Sequence, residues 1–164
     1  MKIMVISDTH NDTEYTELAL EVFAKDKYDR LFVLGDIGID TLSLLNPLHE
    51  KILAVKGNCD GYELDDFARF PLPYLNYAYA FDKFIVLTHG NYYNEFNYDQ
   101  KYDILLEGHS HISGLVQRKD GRIIANPGSL SLPRDYNHSF LSIDEQGLKV
   151  IDVKTGEIVH FLDF

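Results

Sequence analysis

Cysteine is nearly absent from this chain of 164 residues: Cys59 stands alone, so no internal disulfide can form. Positive charge is scarce too. Fifteen basic residues face 26 acidic ones, a formal net charge of −11. That balance argues against a nucleic-acid backbone as a standing partner, because such affinity comes mostly from Lys and Arg neutralising phosphates. A small phosphate ester is not excluded, since bound dications can reverse the local field. Long apolar runs are missing as well, with nothing near the roughly 20 residues a membrane span needs. The opening apolar run is too short for a secretion signal and is cut by Asp8. We expect a cytoplasmic protein with no membrane partner. Linkers, low-complexity stretches and fixed-period repeats are also lacking, so residues 1–164 are expected to form one domain.

What is there alternates. Lys2–Ser7 is a short apolar run of strand length, and after it the period changes. Tyr15, Leu18, Ala19, Val22 and Phe23 recur at helical spacing, with Asp12 or Thr13 available as N-cap. Arg30–Leu34 starts a second strand, a short helix is expected from about Thr41 with Asp40 as cap and Pro47 as stop, and Lys51–Val55 is a third strand. This is the pattern of a parallel sheet with crossover helices. Gly61–Phe70 reads as loop or short helix. A hairpin is expected over Tyr77–Thr88 with its turn at Asp82-Lys83, and Asn91–Tyr102 reads as an aromatic-rich loop with one helical turn. Beyond Ser113 come strands: a hairpin about Lys119-Asp120-Gly121, then a meander through Ser139–Ile143, Leu148–Val153 and Glu157–Phe161. A parallel front and an antiparallel back imply an α/β fold of two sheets packed face to face, with helices outside.

Five apolar runs end in residues that bind metals. Ile6-Ser7 leads into Asp8-Thr9-His10, Leu34-Gly35 into Asp36, Lys56-Gly57 into Asn58, Leu87-Thr88 into His89, and Glu107-Gly108 into His109-Ser110-His111. In open α/β sheets, sites form outside the carboxyl ends of the strands, so these endings can converge. Carboxylate, amide oxygen and imidazole together suit borderline dications, and seven donors match two ions sharing a carboxylate better than one tetrahedral ion. Taken singly, each residue has a duller explanation. An aspartate after a strand is usually a helix cap or turn former, a lone histidine is usually packed and hydrogen-bonded, and glycines 35, 57, 90 and 108 can serve turns. Five endings in concert would need five separate excuses. His49, His138 and His160 have no such context.

Asp8-Thr9-His10, Gly35-Asp36, Gly57-Asn58-Cys59-Asp60, Thr88-His89-Gly90 and Gly108-His109-Ser110-His111, in that order, resemble the motif set of calcineurin-like metallophosphoesterases. Cys59, with Asn126-Pro127-Gly128-Ser129 and Pro133-Arg134, makes the chain similar to the small bacterial and archaeal phosphodiesterase branch. The resemblance implies two packed mixed sheets flanked by helices on both outer faces, a four-layer arrangement. It also implies that Asp8, His10 and His111 hold one divalent metal, that Asn58, His89 and His109 hold a second, and that Asp36 bridges both. The metal is expected to be Mn first, with Fe, Ni, Co and Zn as alternatives. Water activated between the ions would attack phosphorus, with Asp36, Asn58 and His89 as the residues closest to the chemistry.

Two departures from the family pattern stand out. Many relatives carry a histidine after the Asn ligand to protonate the leaving oxygen, where this chain has Cys59, read either as a feeble acid or as a small buried filler. Relatives also often carry a second histidine where this chain has Asn91. Arg134 is expected to touch phosphate or form a surface ion pair. The aromatics Tyr92, Tyr93, Phe96, Tyr98 and Tyr102 are expected to cap the core or to make a homo-oligomer contact. The leading function is a dimetal phosphodiesterase acting on a small phosphate ester. Its rivals are a phosphomonoesterase, a single-metal or storage protein, and a protein-interaction scaffold like the retromer subunit of this fold.

Overall fold

The computed structural model describes residues 1–164. The chain runs β1 (Ile3–Ile6), α1 (Thr13–Lys25), β2 (Arg30–Val33), α2 (Ile39–Leu45), a 3-10 segment (Asn46–Lys51), β3 (Ile52–Ala54), α3 (Glu63–Phe67), β4 (Leu75–Ala80) and β5 (Lys83–Thr88). It continues through β6 (Ile104–Leu106), β7 (Gly114–Gln117), β8 (Ile123–Asn126), β9 (Ser139–Asp144), β10 (Gly147–Asp152) and β11 (Ile158–Asp163).

Two mixed sheets result, in the orders β11-β10-β9-β1-β2-β3 and β4-β5-β6-β8-β7. β1, β2 and β3 are parallel in the first, as are β5, β6 and β8 in the second. The meander does not build a separate antiparallel sheet: β9 pairs with β1, Val5 opposite Leu141, and extends the first sheet. A fully buried β1 needs a neighbour on each side, and β9 supplies the second one. Between the sheets, Ile3, Val5, Phe32 and Leu34 meet Ile85, Leu87, Ile104 and Leu106. Each such side chain contributes roughly 1.5–3 kcal/mol on burial.

α1 forms as its period demands. Asp12 caps it by accepting the Tyr15 N–H at 3.2 Å, and Ala19 and Phe23 face the first sheet. α2 starts earlier than expected, at Ile39 with Gly38 as cap. Asp40 is drawn off instead to Asn11, whose side chain exchanges two hydrogen bonds with it. Pro47 does not end the structure either, because it sits at the start of the 3-10 segment, where its missing N–H costs nothing. The β4–β5 turn falls at Phe81-Asp82, both with φ 55, one residue before the expected place. Two-residue hairpins need that left-handed pair to match the strand twist.

All three α-helices lie on one outer face, where Leu42, Leu45 and Leu64 join Met4, Ile6 and Leu31. The second sheet's outer face, Val86, Leu105 and Ile124, is capped by Tyr98 and Tyr102 from the 91–103 segment, so helices on both outer faces are not found. There the side chains of Asn94 and Asn97 bond nearby backbone groups, which competes with helix formation. Tyr92 and Phe96 stay exposed. No helix is long and apolar enough to cross a membrane.

Candidate metal centre

Both sets of parallel strands present their carboxyl ends to the same place. The Nδ1–H of His89, just past β5, donates to the Leu34 carbonyl past β2 at 2.7 Å and joins the sheets there. His89 Nε2 then stands 3.3 Å from Asp36 Oδ2 and 3.1 Å from Asn58 Oδ1. His111 repeats the device: its Nδ1–H donates to the Leu132 carbonyl at 2.7 Å, and its Nε2 lies 3.2 Å from Asp8 Oδ1 and 3.1 Å from His10 Nε2. His10 Nε2 is 3.7 Å from both Asp8 Oδ1 and Asp36 Oδ2.

A carbonyl only accepts, so in the neutral form of both rings the proton is fixed on Nδ1 and Nε2 presents a bare lone pair. Those lone pairs face carboxylate and amide oxygens, which are also acceptors. Asp8 Oδ1 is fully buried and has no hydrogen-bond partner. Converging acceptors without donors repel one another unless a cation lies among them, and so the residues fit divalent metal ions. Asp8, His10 and His111 form one close set and Asp8, Asp36 and His89 another. His109 stands at the margin. It is exposed, its ring is 5.1 Å from that of His89, and its backbone N–H donates to Asp8 Oδ2 at 3.0 Å.

Charge follows the same logic. Burial raises the Asp36 carboxyl, but the hydrogen bond and charge of His89 and the Cys59 amide outweigh it and hold it down to about 2. Burial pulls the His89 imidazole down, yet Asp36 and Asp8 hold it above its ordinary range: the site favours positive charge. Burial and the neighbouring His89 keep His109 below its ordinary value.

Holding donors this close demands unusual backbone. Asp8, His10, Asp36, His109 and His111 all have φ between 43 and 65, each at a cost of about 1 kcal/mol. Neighbours leave no room for side chains: a Cβ on Gly57 would strike Asp36 Oδ1, and one on Gly108 the Ser7 hydroxyl. Sequence reasoning misses the residues that staple these loops. Ser7 donates its hydroxyl to Asp8 Oδ2 at 2.6 Å, and Ser129 donates to the Asp8 carbonyl at 2.7 Å. Asp60 accepts the N–H groups of Ile37 and Gly57 at 2.7 and 2.9 Å, tying the Asp36 loop to the Asn58 loop. Asn126 Nδ2 donates to the Gly108 carbonyl at 2.9 Å. Ser7 and Asp60 are signalled only by adjacency to the five endings, and Asn126 and Ser129 by the Asn126-Pro127-Gly128-Ser129 stretch.

Two expectations change. Cys59 is exposed, not a buried filler; partial burial and the carboxylates of Asp36, Asp60 and Asp8 push its thiol up to about 11. Arg134 forms no ion pair.

The profile of the calcineurin-like phosphoesterase superfamily domain matches residues 1–147. The chain belongs to the calcineurin-like phosphoesterase superfamily. Phosphodiesterase YfcE of Escherichia coli K12 is 31% identical, with 97% of this chain and 96% of the relative aligned. The solved structure of E. coli YfcE superposes with a TM-score of 0.92 at 28% identity, covering 99% of each chain. Vacuolar protein sorting 29 of Cryptosporidium parvum, at 22% identity and a TM-score of 0.74 over 99% of this chain and 97% of that one, shares the fold. A calcineurin-like phosphoesterase is thus an enzyme family whose dependence on divalent metals agrees with the acceptor-only cluster just described.

Proposed function

We propose that residues 1–164 act as one domain, a dinuclear phosphodiesterase in which Asp8, His10 and His111 hold one dication and Asn58, His89 and His109 the other, with Asp36 shared. Two dications supply a water made nucleophilic near neutral pH and neutralise charge on the phosphoryl oxygens. The chain's own residues do the rest. Leu34 and Leu132, through their carbonyls, fix the His89 and His111 tautomers, and the Cys59 N–H, donating to Asp36 Oδ1 at 2.8 Å, leaves Asp36 Oδ2 free for a ligand. Asn58, exposed, keeps an N–H for a phosphoryl oxygen while its carbonyl faces His89.

One observation carries the reading: bare imidazole nitrogens and an orphaned carboxylate oxygen converge within 4.8 Å. No imidazole follows Asn58, and a thiol is a poor proton donor to a departing alkoxide, so esters with good leaving groups should react best. Manganese is the ion we put first, and the cytoplasm the place. A homo-oligomer contact through the exposed Tyr92 and Phe96 is part of the proposal and open to light scattering.

The test is purified protein with each of Mn, Fe, Ni, Co and Zn and bis-p-nitrophenyl phosphate. Metal-dependent nitrophenol release, lost in Asp36→Asn, is expected. Absence of release with every metal would return the chain to the scaffold reading. Two ions per chain by elemental analysis are expected, against one for a single-metal protein.

A further inference from the structure

An edge strand with unpaired N–H and C=O groups invites another strand unless it is short, charged or covered. Of the four edges in the two sheets, β3 has three residues and β7 has four, and β7 also lies against β11. β11 carries the exposed His160 and Asp163. β4 has none of these guards. It is six residues long, Leu75–Ala80, with no charge and no proline. Residues 70–81 are uncharged throughout, in a chain that is 25% charged.

Peptide groups on that edge point outward. The Phe84 N–H donates to Asp103 Oδ2 and its C=O accepts the Asp103 N–H, so Phe84 turns away from its partner Tyr79. By alternation Asn76, Ala78 and Ala80 bond to β5, while Tyr77 and Tyr79 turn to the open side. There the Tyr77 N–H is held by Asn76 Oδ1 at 3.0 Å. Side chains divide the same way. Ala78, opposite Ile85, faces the core between the sheets, and Tyr77 and Tyr79 stand exposed on the outer face, Tyr77 stacked on Phe84 at 5.8 Å. Tyr74, just before β4, meets Tyr92 edge-on at 5.2 Å. These four tyrosines are 43–71% exposed and present on the order of 400 Å² of surface. That is about half of the roughly 800 Å² each partner gives in a standard interface. Apolar surface continues on the inner side, where a groove of about 280 Å³ is lined by Phe32, Ile52, Leu53, Ala78 and Ala80. Its only charges, Arg30 and Lys51, have the sign that a copy of net charge −11 attracts.

We infer that two copies of this chain join by antiparallel pairing of β4 with β4 about a two-fold axis at Ala78, turning two five-stranded sheets into one of ten. A two-fold contact needs a self-complementary strand, and Tyr77-Ala78-Tyr79 reads the same in both directions. In this register Tyr77 lies opposite the partner's Tyr79, and Tyr79 opposite the partner's Tyr77, as cross-strand aromatic pairs. Those are the residues whose peptide groups face outward, so the new ladder falls on free donors and acceptors. The Tyr77 N–H exchanges Asn76 Oδ1 for a carbonyl of the partner. Ala78 stands opposite its own image at a close, non-hydrogen-bonded position, where a methyl group fits. The pairing rests on the homo-oligomer reading above and gives it a surface and a symmetry; it does not depend on phosphodiesterase activity.

The experiment is light scattering on wild type, Tyr79→Lys and Phe96→Ala across a range of protein concentrations, with circular dichroism to check that each is folded. Wild type should be a dimer. Tyr79→Lys, which removes an aromatic contact and sets two ammonium groups about the axis, should weaken the dimer about a hundredfold, and Phe96→Ala should leave it unchanged. The register has its own check. In a Cys59→Ser background, Ala78→Cys should form a disulfide-linked dimer on mild oxidation, because the close pair sets the Cα atoms roughly 4.5 Å apart, within disulfide reach. Val116→Cys on the β7 edge should stay monomeric in the same gel. A dimer that survives Tyr79→Lys but is lost in Phe96→Ala overturns the β4 pairing and leaves the homo-oligomer reading standing. A dimer without the Ala78→Cys cross-link overturns the two-fold register at Ala78. A wild-type monomer at every concentration removes both the pairing and the homo-oligomer.

Discussion

Two layers of the same strands are buried to the same degree and made of opposite chemistry. Between the sheets, Ile3, Val5, Leu34, Leu87 and Leu106 pack with no polar side chain among them. One to three residues further along, Ser7, Asp8, Asp36, Thr88 and His89 are as inaccessible, each 3% exposed or less, and all polar. The apolar layer stabilises the fold by its burial. The polar layer does the reverse in the absence of a cation: acceptors face acceptors, one carboxylate oxygen is orphaned, and five residues stand in left-handed backbone. A protein carries such a layer only where function requires it, and so substitutions in the two layers should separate activity from stability.

The largest separation is expected at Asp36. Asp36→Asn should reduce metal-dependent diesterase turnover by roughly four orders of magnitude, about 5 kcal/mol, because the shared ligand is lost. In chelator-treated protein, at a pH high enough to keep His89 neutral, the same change should raise unfolding stability by about 1 kcal/mol, since the new amide N–H can then donate to a bare His89 Nε2. Denaturant melts with and without chelator read this out. A metal-free Asp36→Asn that melts well below wild type would mean that the polar layer is not frustrated.

Phe140→Ala is the converse. Phe140 is 1% exposed beneath α1 and touches no candidate ligand. The substitution should cost about 3–5 kcal/mol of stability and leave kcat unchanged well below the melting temperature. Between these two lies the metal itself. Manganese at a hundred times its Kd should stabilise wild type by about 2.7 kcal/mol, and Asp36→Asn by much less, in thermal melts.

The layers also differ in how far they can be read from residues alone. Apolar runs of strand length and the helical period of Tyr15–Phe23 are local signals, and they locate β1, α1 and β2 within a residue or two. The convergence of Asp8, Asp36, Asn58, His89 and His111 was legible because each follows a parallel strand, and parallel strands send their carboxyl ends to one side. Pairing across distance is not local. That β9 would join β1 depended on an open edge 136 residues away, Val5 opposite Leu141, whereas the 91–102 loop, where asparagine side chains choose backbone partners, was readable as a loop from its local composition. Cys59 carried no mark of its exposure, and Asp60 none of its role as staple.

Left-handed backbone gives the finest cut between the two layers, because it occurs at the centre and also where no ligand is involved. Asp82, at φ 55 in the β4–β5 turn, is exposed, and its side chain forms none of the hydrogen bonds that bind Asp8 or Asp36. Glycine adopts this region without a Cβ penalty, while its added freedom in the unfolded chain offsets part of the gain. Asp82→Gly should therefore stabilise the protein by about 0.5–1 kcal/mol, a rise of a few degrees in the melting temperature, with kcat/KM for bis-p-nitrophenyl phosphate unchanged. His10→Gly relieves the same backbone strain at φ 43 but removes an imidazole from the close set with Asp8 and His111. It should gain stability in chelator and lose turnover with metal. If both glycine variants behaved alike in turnover, the strain at residue 10 would have nothing to do with holding a ligand.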